Sequence, residues 1–164
     1  MWLEREGFVA PRPGQQDDWM YVTPRGQKVV ETENFSERQQ SSLFPSHIDP
    51  VLVRSVKPLF IRGDFDTTVF RVFKEVEMRV RKKANLGNED FGIDLMRKAF
   101  SAGGPLEDKD APKAERDRTR DLFVGAIGTF KNPTSHREVK FDEVMEVVDI
   151  ICFANQLLRV IGRK

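Results

Sequence analysis

The chain has 164 residues, enough for one hydrophobic core of ordinary size with a small additional segment, but not for two full domains. It carries 27 Lys and Arg against 26 Asp and Glu, so its overall charge does not indicate a nucleic-acid-binding protein, and any basic surface must be local. The single cysteine excludes a disulfide within the chain and, with no secretory signal or membrane span in the sequence, favours a reducing, cytoplasmic setting.

Residues 1 to 34 are predicted to form a small β-hairpin followed by a helix start. Apolar segments end near Val9 and begin at Trp19, and the stretch between them contains Pro, Gly and polar residues. Thr23-Pro24 is typical of a helix start, because proline at the first helical position needs no N–H partner. The layout resembles the wing and following helix of winged helix-turn-helix domains, without the helices that precede the wing there. Two interpretations stay open: a fragment of a longer protein that contacts DNA here, or a remnant that packs on the main domain.

Residues 35 to 48 are predicted to be a polar linker, and residues 49 to 164 a mainly α domain, a bundle of four to five helices. Asp49 can cap a helix whose first residue is Pro50 and which ends near Ile61. A second helix is indicated by five apolar residues at spacings of four, three, four and four. They are Phe65, Val69, Val72, Val76 and Val80.

The remaining positions of this second helix hold the densest basic cluster of the chain, from Arg71 to Lys83. A solvated helix face is the ordinary interpretation of such a cluster. The alternative is a surface that guides RNA towards a nearby site, for which Arg79, Lys82 and Lys83 are the candidates. Glu75 and Glu77 on the same helix are predicted to be solvated ion-pair partners of Arg71, Arg79 or Arg81. The alternative is that they orient the cation or the histidine of a catalytic site.

Two further helices are predicted at Phe91 to Phe100 and from about Ala111 onwards. The final helix has apolar residues at spacings of three and four, which is typical of a bundle seam. They are Val144, Val147, Ile151, Ala154, Leu158 and Ile161. Cys152 lies among apolar neighbours and is predicted to be a buried small hydrophobic residue.

Before the final helix lies Lys131-Asn132-Pro133-Thr134-Ser135-His136, predicted to be a polar turn between two helices. Lysine can neutralise a phosphoryl oxygen, an asparagine can orient a hydroxyl or phosphate, and a histidine can transfer a proton near neutral pH. The candidate catalytic residues are therefore Lys131, Asn132 and His136. An ordinary helix-to-helix turn can have the same composition. His47, the other histidine, is predicted to be an exposed linker residue.

The motif resembles the Arg-polar-x-x-x-His signature of the HEPN superfamily, with Lys131 where that superfamily usually has Arg. Asp94 to Phe100 is similar to a helix of the Ymh-like proteins of this superfamily, which are associated with abortive infection. The resemblance covers about residues 49 to 162. It implies a homodimer whose motifs line a shared cleft, an RNA substrate, and a role as a toxin or anti-phage effector.

The chemistry expected of these residues is metal-independent RNA cleavage, in which the ribose 2′-hydroxyl attacks the neighbouring phosphate. No carboxylate or histidine cluster has metal-ligand spacing, and no cofactor is expected. One chain supplies a single motif histidine, whereas two histidines from a twofold dimer would supply both a base and an acid.

Two other functions stay open from the sequence. One is a non-catalytic helical scaffold or a nucleic-acid-binding regulator, and the other is a purely structural oligomerisation module. Lys131 in place of the motif arginine favours the scaffold or regulator. Lysine is a point charge and lacks the planar guanidinium with which arginine binds two phosphate oxygens. A regulatory partner protein is a further expectation.

Overall fold

A computed structural model describes residues 1–14, 19–31, 35–136 and 139–163. The protein is mainly helical and has one two-stranded antiparallel sheet. The chain divides into two compact units, Met1–Ser42 and Leu43–Lys164. In the part of the chain that is described, no helix is both long and apolar enough to cross a membrane.

The first unit contains the hairpin that the sequence predicts. Helix α1 (Trp2–Arg5) precedes strands β1 (Val9–Pro11) and β2 (Met20–Val22), which pair with Val9 opposite Val22. Helix α2 (Pro24–Glu31) begins at the predicted proline, and the Thr23 hydroxyl donates to the Gly7 carbonyl at 2.7 Å. The hairpin and helix start are confirmed, but the segment from Trp2 begins as a helix and not as a strand.

Close packing explains the glycine of α2. A Cβ atom at Gly26 would lie 2.2 Å from the Phe8 carbonyl oxygen, so only glycine fits against the end of β1. Helix α3 (Phe35–Leu43) occupies most of the stretch predicted to be a linker. The Phe35 ring packs edge-on against Trp2, with ring centroids 5.6 Å apart. This aromatic contact gives the polar segment an apolar anchor within its own unit.

In the second unit, helix α4 (Pro50–Arg62) has the predicted bounds within one residue, and helix α5 (Phe65–Ala84) contains the predicted apolar stripe. The Asp49 carboxylate accepts a hydrogen bond from the Val51 amide at 2.9 Å, which confirms the predicted cap. Gly63 ends α4 with φ of +80°, a left-handed conformation that glycine adopts without strain. The predicted stripe of α5 is buried, with Val69, Val72, Val76 and Val80 fully covered.

Helix α5 packs against α4 and against four elements that follow it. These are α6 (Gly92–Phe100), a π-helical turn (Ile127–Lys131) that continues α7 (Lys113–Ala126), α8 (Asn132–His136) and α9 (Val144–Arg163). The predicted seam of α9 is confirmed, since five of its six residues are buried and Val144 is half-buried. The central position of α5 therefore sets the geometry of every element that carries a candidate residue.

Cys152 is exposed, so the prediction of a buried thiol is wrong. An α-helix turns about 100° per residue, and Ile151 already occupies the buried face of α9. Cys152 lies about 100° further around the helix, outside the arc that holds the buried residues of α9. Its apolar neighbours in the sequence lie on the other side of the helix, which is why composition alone was misleading.

Candidate functional site

The motif is helical, so the predicted polar turn is wrong. Lys131 is the last residue of the π-helical turn, and Asn132–His136 form a short helix, α8. The backbone N–H of Asn132 donates to the Ile127 carbonyl, five residues earlier. Pro133 explains the wider turn, because a proline has no N–H to donate and its ring would collide with the carbonyl four residues before it.

Two hydroxyl groups beside the proline donate to backbone carbonyls of the preceding turn. Thr134 donates to the Phe130 and Lys131 carbonyls at 3.0 and 2.9 Å, and Ser135 donates to the Lys131 carbonyl at 2.8 Å. Hydroxyl groups can replace backbone donors in this way. The hydroxyls of Thr134 and Ser135 therefore stabilise the backbone of the motif, and these hydrogen bonds account for both side chains without a contact to substrate.

The aromatic ring of Phe130 anchors the π-helical turn to the core. It stacks on Phe73 of α5, with ring centroids 5.1 Å apart and planes within 3° of parallel. Phe153 of α9 packs against the same ring at 5.9 Å. This three-ring contact fixes the residue immediately before Lys131, and so the direction in which the Lys131 side chain leaves the backbone.

Lys131 forms an ion pair with Glu77 of α5. Its Nζ donates to Glu77 Oε2 at 2.6 Å, and the two side chains are only 14% and 7% exposed. A charge-assisted hydrogen bond between two buried side chains restricts both of them. Lys131 is therefore a positioned cation and not a mobile surface lysine.

Glu77 accepts hydrogen bonds from two further groups. Arg81 donates to Oε1 at 2.8 Å and the Gly92 amide donates to Oε2 at 3.0 Å. Arg81 also donates through Nε to the Asp90 carbonyl at 2.9 Å, and Lys98 binds both Asp90 carboxylate oxygens. We call these residues, with Lys131, the Glu77 network. Its three cations exceed its two carboxylates, so it has a net positive charge.

The pKa of Glu77 is lowered from 4.5 by this environment. Burial is the largest single influence and raises the pKa, since it disfavours the charged carboxylate. The hydrogen bonds from Lys131, the Gly92 amide and Arg81, together with the charge of Lys131, act in the opposite direction and outweigh burial. Glu77 is therefore ionised at neutral pH and keeps Lys131 in place.

Asn132 and His136 lie four residues apart in α8, and so on one face of that helix. Asn132 is half-buried and His136 is exposed. Among the described residues, no hydrogen bond to either side chain occurs. The amide and the imidazole are thus available to a ligand, while Lys131 reaches inwards from the preceding turn.

The structure separates the predicted RNA-binding residues from the motif. Arg79 pairs with Asp49 at 3.2 Å, and it lines a groove beside α4 together with Lys82. Positions 79 and 82 lie about 160° and 140° around α5 from Glu77. Lys82 and Lys83 are exposed, so they can bind a polyanion, but the chain does not place them beside Lys131.

Both glutamates of α5 pair with arginines as predicted, but neither is solvated. Glu75 binds Arg71 at 2.8 Å and Glu77 binds Arg81, and each carboxylate side chain is about 7% exposed or less. The Glu77–Arg81 pair has the favourable spacing of four residues in a helix and is readable from the sequence. The contact with Lys131 joins residues 54 positions apart, which no local pattern reveals.

His47 is exposed, and its backbone is bound to α9. Its carbonyl accepts hydrogen bonds from Asn155 and Arg159 of α9 at 3.3 and 3.1 Å. Within the described ranges, no group of three or more His, Cys, Asp or Glu side chains is arranged to hold a metal ion. The candidate site therefore consists of Lys131, Asn132 and His136, with Glu77 behind them.

Comparison with known protein families identifies the second unit. The model of the family described as "Protein of unknown function (Hypoth_ymh)" matches residues 46–161, which is more than half of the chain, so the chain belongs to this family. Comparison with curated proteins and with solved structures gave no match.

Proposed function

For this member of the Hypoth_ymh family we propose a metal-independent endoribonuclease activity, centred on Lys131, Asn132 and His136. The observation that carries the proposal is the ion pair of 2.6 Å between Lys131 and the buried carboxylate of Glu77. It fixes a cation next in sequence to the helix that carries Asn132 and His136, whose side chains have no hydrogen bond to another described residue. The resemblance of the motif to the HEPN signature supports the same activity, and with it a role as a toxin or anti-phage effector.

The proposed reaction requires only groups that this chain supplies. A neutral imidazole of His136 takes the proton of a ribose 2′-hydroxyl, whose oxygen then attacks the adjacent phosphorus. The bond from phosphorus to the 5′-oxygen breaks, and that oxygen receives a proton from an imidazolium. The products are a 2′,3′-cyclic phosphate and a free 5′-hydroxyl.

Lys131 and Asn132 act on the phosphate. Lysine has three donors, and Glu77 accepts from one of them, so two remain for the non-bridging oxygens on which charge builds up in the transition state. The net positive charge of the Glu77 network favours the same state. The Asn132 amide can donate to a phosphate oxygen or hold the 2′-hydroxyl in line for attack.

A homodimer would complete the site. The reaction uses a base and an acid, and each chain contributes one motif histidine. With two motifs across a twofold axis, His136 of one protomer would act as base and that of its partner as acid.

The test compares two histidine variants, because the chain has only two histidines. Purified parent protein, His136→Ala and the matched control His47→Ala would be incubated with end-labelled RNA in excess chelator. We expect parent and His47→Ala to cleave and His136→Ala to lose at least about 100-fold in rate. Since His136 is exposed, the variant should unfold at the same temperature as the parent. Equal cleavage by all three proteins would refute the assignment.

One observation favours a second function, a non-catalytic scaffold or nucleic-acid-binding regulator. Glu77 already neutralises Lys131, and a phosphate would have to share the ammonium with this carboxylate. For that function we expect RNA or DNA binding that weakens steeply with salt and is reduced by Lys82→Gln and Lys83→Gln, without strand cleavage.

A further inference from the structure

Arg81 is the second cation bound to Glu77, and two contacts fix its side chain. Its Nη2 donates to Glu77 Oε1 at 2.8 Å, and its Nε donates to the Asp90 carbonyl at 2.9 Å. The Arg81 side chain is 18% exposed, close to the 14% of Lys131. Because Glu77 lies in α5 and Asp90 in the loop before α6, the guanidinium is fixed relative to both elements.

Arg81 and Lys131 bind the two oxygens of one carboxylate. The Lys131 Nζ donates to Glu77 Oε2 at 2.6 Å, while Arg81 binds Oε1. The two cationic groups are therefore no further apart than two hydrogen bonds and the width of a carboxylate. A phosphodiester also presents two non-bridging oxygens, so a pair of cations at this spacing can contact one phosphate together.

Arg81 retains hydrogen-bond donors that the protein does not use. A guanidinium has five N–H donors, and two of those of Arg81 are bound to protein acceptors. In the described part of the chain, Arg116 Nε is the only enclosed side-chain nitrogen or oxygen without a hydrogen-bond partner. The Nη1 of Arg81, which has no protein acceptor there, is therefore open to solvent. It can reach a ligand while the contacts with Glu77 and Asp90 persist.

The charges of this group balance only when an anion is added. The single carboxylate of Glu77 is shared by two cations, Lys131 and Arg81, while Lys98 and Asp90 pair with each other. A phosphodiester, which carries one negative charge, neutralises the positive charge that remains. It also ends the competition between Glu77 and a phosphate for Lys131, because each anion then has a cation of its own.

We propose that Arg81, together with Lys131, binds the phosphate that is cleaved and is a further substrate-binding residue of this site. Its guanidinium supplies the planar pair of donors that lysine at position 131 lacks. In the transition state, negative charge builds up on the non-bridging oxygens, and Nη1 and the ammonium then stabilise different oxygens. The inference rests on the proposed function for the identity of the substrate, but its test measures binding as well as cleavage.

The test measures binding of a single-stranded oligonucleotide with 2′-deoxy sugars, which keeps every phosphate but cannot be cleaved by 2′-hydroxyl attack. Arg81→Gln removes the charge, and Arg81→Lys keeps the charge without the planar fork. The matched control is Arg71→Gln, because Arg71 lies on the same helix and pairs with Glu75 at 2.8 Å and the same spacing of four residues. Dissociation constants would be measured over a range of salt concentrations, with the unfolding midpoint as the control for folding.

We expect Arg81→Gln to raise the dissociation constant at least about fivefold. The slope of its logarithm against that of the salt concentration should fall by about 0.7, the value for one phosphate contact on a single strand. A residue that only supports the fold would leave this slope unchanged. Arg81→Lys should keep the slope of the parent but cleave the matching RNA several-fold more slowly. Arg71→Gln should keep the slope, the dissociation constant and the cleavage rate of the parent.

Three results would overturn the proposal: no binding by the parent, a parental slope in Arg81→Gln, or an equal loss of slope in Arg71→Gln. Binding in the predicted pattern without RNA cleavage by the parent would support the phosphate site and refute the nuclease. RNA cleavage by Arg81→Gln and Arg81→Lys at the rate of the parent would refute the role of Arg81 and leave the proposed function intact, so the two failures are distinguishable.

Discussion

At the scale of single residues, the buried carboxylate of Glu77 is the least replaceable group of the site. It binds Lys131, Arg81 and the Gly92 amide at once, so it joins α5, the π-helical turn and the start of α6. A buried ion pair contributes little net stability compared with apolar packing, but removal of one partner leaves the other charged and buried. Removal of Glu77 is thus expected to affect both the position of Lys131 and the stability of the fold.

Glu77→Gln is expected to destabilise the fold by about 3 to 5 kcal/mol, because the largely buried cations of Lys131 and Arg81 lose their counter-charge. It should also reduce RNA cleavage at least about tenfold, since Lys131 is no longer oriented. Glu75→Gln is the matched control: its carboxylate is equally buried on the same helix but pairs with Arg71 and does not contact Lys131. If Glu75→Gln impaired cleavage as strongly as Glu77→Gln, the positioning role would be wrong.

Glu77 also predicts a pH dependence of stability. Its pKa in the folded protein is lower than the value of 4.5 expected when unfolded, so below this value the unfolded chain binds more protons. Its contribution is therefore complete above pH 4.5 and is lost as the pH falls through the lowered pKa of the folded state. Urea unfolding of the parent between pH 3 and 6 should show this loss on acidification, and Glu77→Gln should show a shallower one. Parallel profiles would contradict the prediction.

Lys131→Arg tests the departure of the motif from the HEPN signature. Arginine can bind two phosphate oxygens with a planar fork and can still pair with Glu77, so turnover should rise a few-fold. The unfolding midpoint serves as the control for folding. A drop in turnover with unchanged folding would show that residue 131 has a structural role.

At the scale of elements, the π-helical turn between α7 and α8 determines where the motif points. Thr134→Val removes the hydroxyl that binds the Phe130 and Lys131 carbonyls, with little change in volume. We expect a loss of about 1 kcal/mol in the free energy of unfolding and a several-fold slower cleavage. The control Thr119→Val in α7 removes a hydrogen bond from the hydroxyl to the Glu115 carbonyl and should not slow cleavage. Equal effects of the two variants on cleavage would exclude a role for the turn.

The elements that the sequence predicts well are those with long apolar periodicity. The stripe of α5 and the seam of α9 are read directly from spacings of three and four, and the caps at Asp49 and Gly63 follow local rules. The helical motif and the exposed Cys152 were not predicted. Pro133 and its polar neighbours look like a turn, whereas the chain continues as a helix in which the Thr134 and Ser135 hydroxyls bind preceding carbonyls. The exposure of Cys152 does follow from the predicted seam of α9, which includes Ile151 and leaves position 152 outside the buried face.

At the scale of the whole molecule, the second unit has a hydrophobic core of its own. The main hydrophobic core lies between Phe44 and Ile161, and so within the second unit. Residues 43–164 alone are expected to fold and to unfold cooperatively, as followed by circular dichroism. A transition without cooperativity would contradict this, and would show that the core requires the first 42 residues.

Only the part of the candidate site that lies in one continuous segment could be predicted from the sequence. Lys131, Asn132 and His136 are neighbours in the chain, and their residue types indicate phosphate chemistry. Glu77, Asp90 and Gly92 come to Lys131 through the packing of α5 and α6, which depends on long-range contacts. The predicted RNA-binding residues share α5 with Glu77 but lie on another face, a separation that follows from helix geometry once the position of Lys131 is known.

The most direct test of the central claim measures cleavage of two RNAs of identical sequence in excess chelator, one of them 2′-O-methylated throughout. We predict that the parent protein cleaves only the unmodified RNA, leaves 2′,3′-cyclic phosphate ends, and loses this activity in His136→Ala. Cleavage of both RNAs, or unchanged cleavage by His136→Ala, would contradict attack by the 2′-hydroxyl at this site.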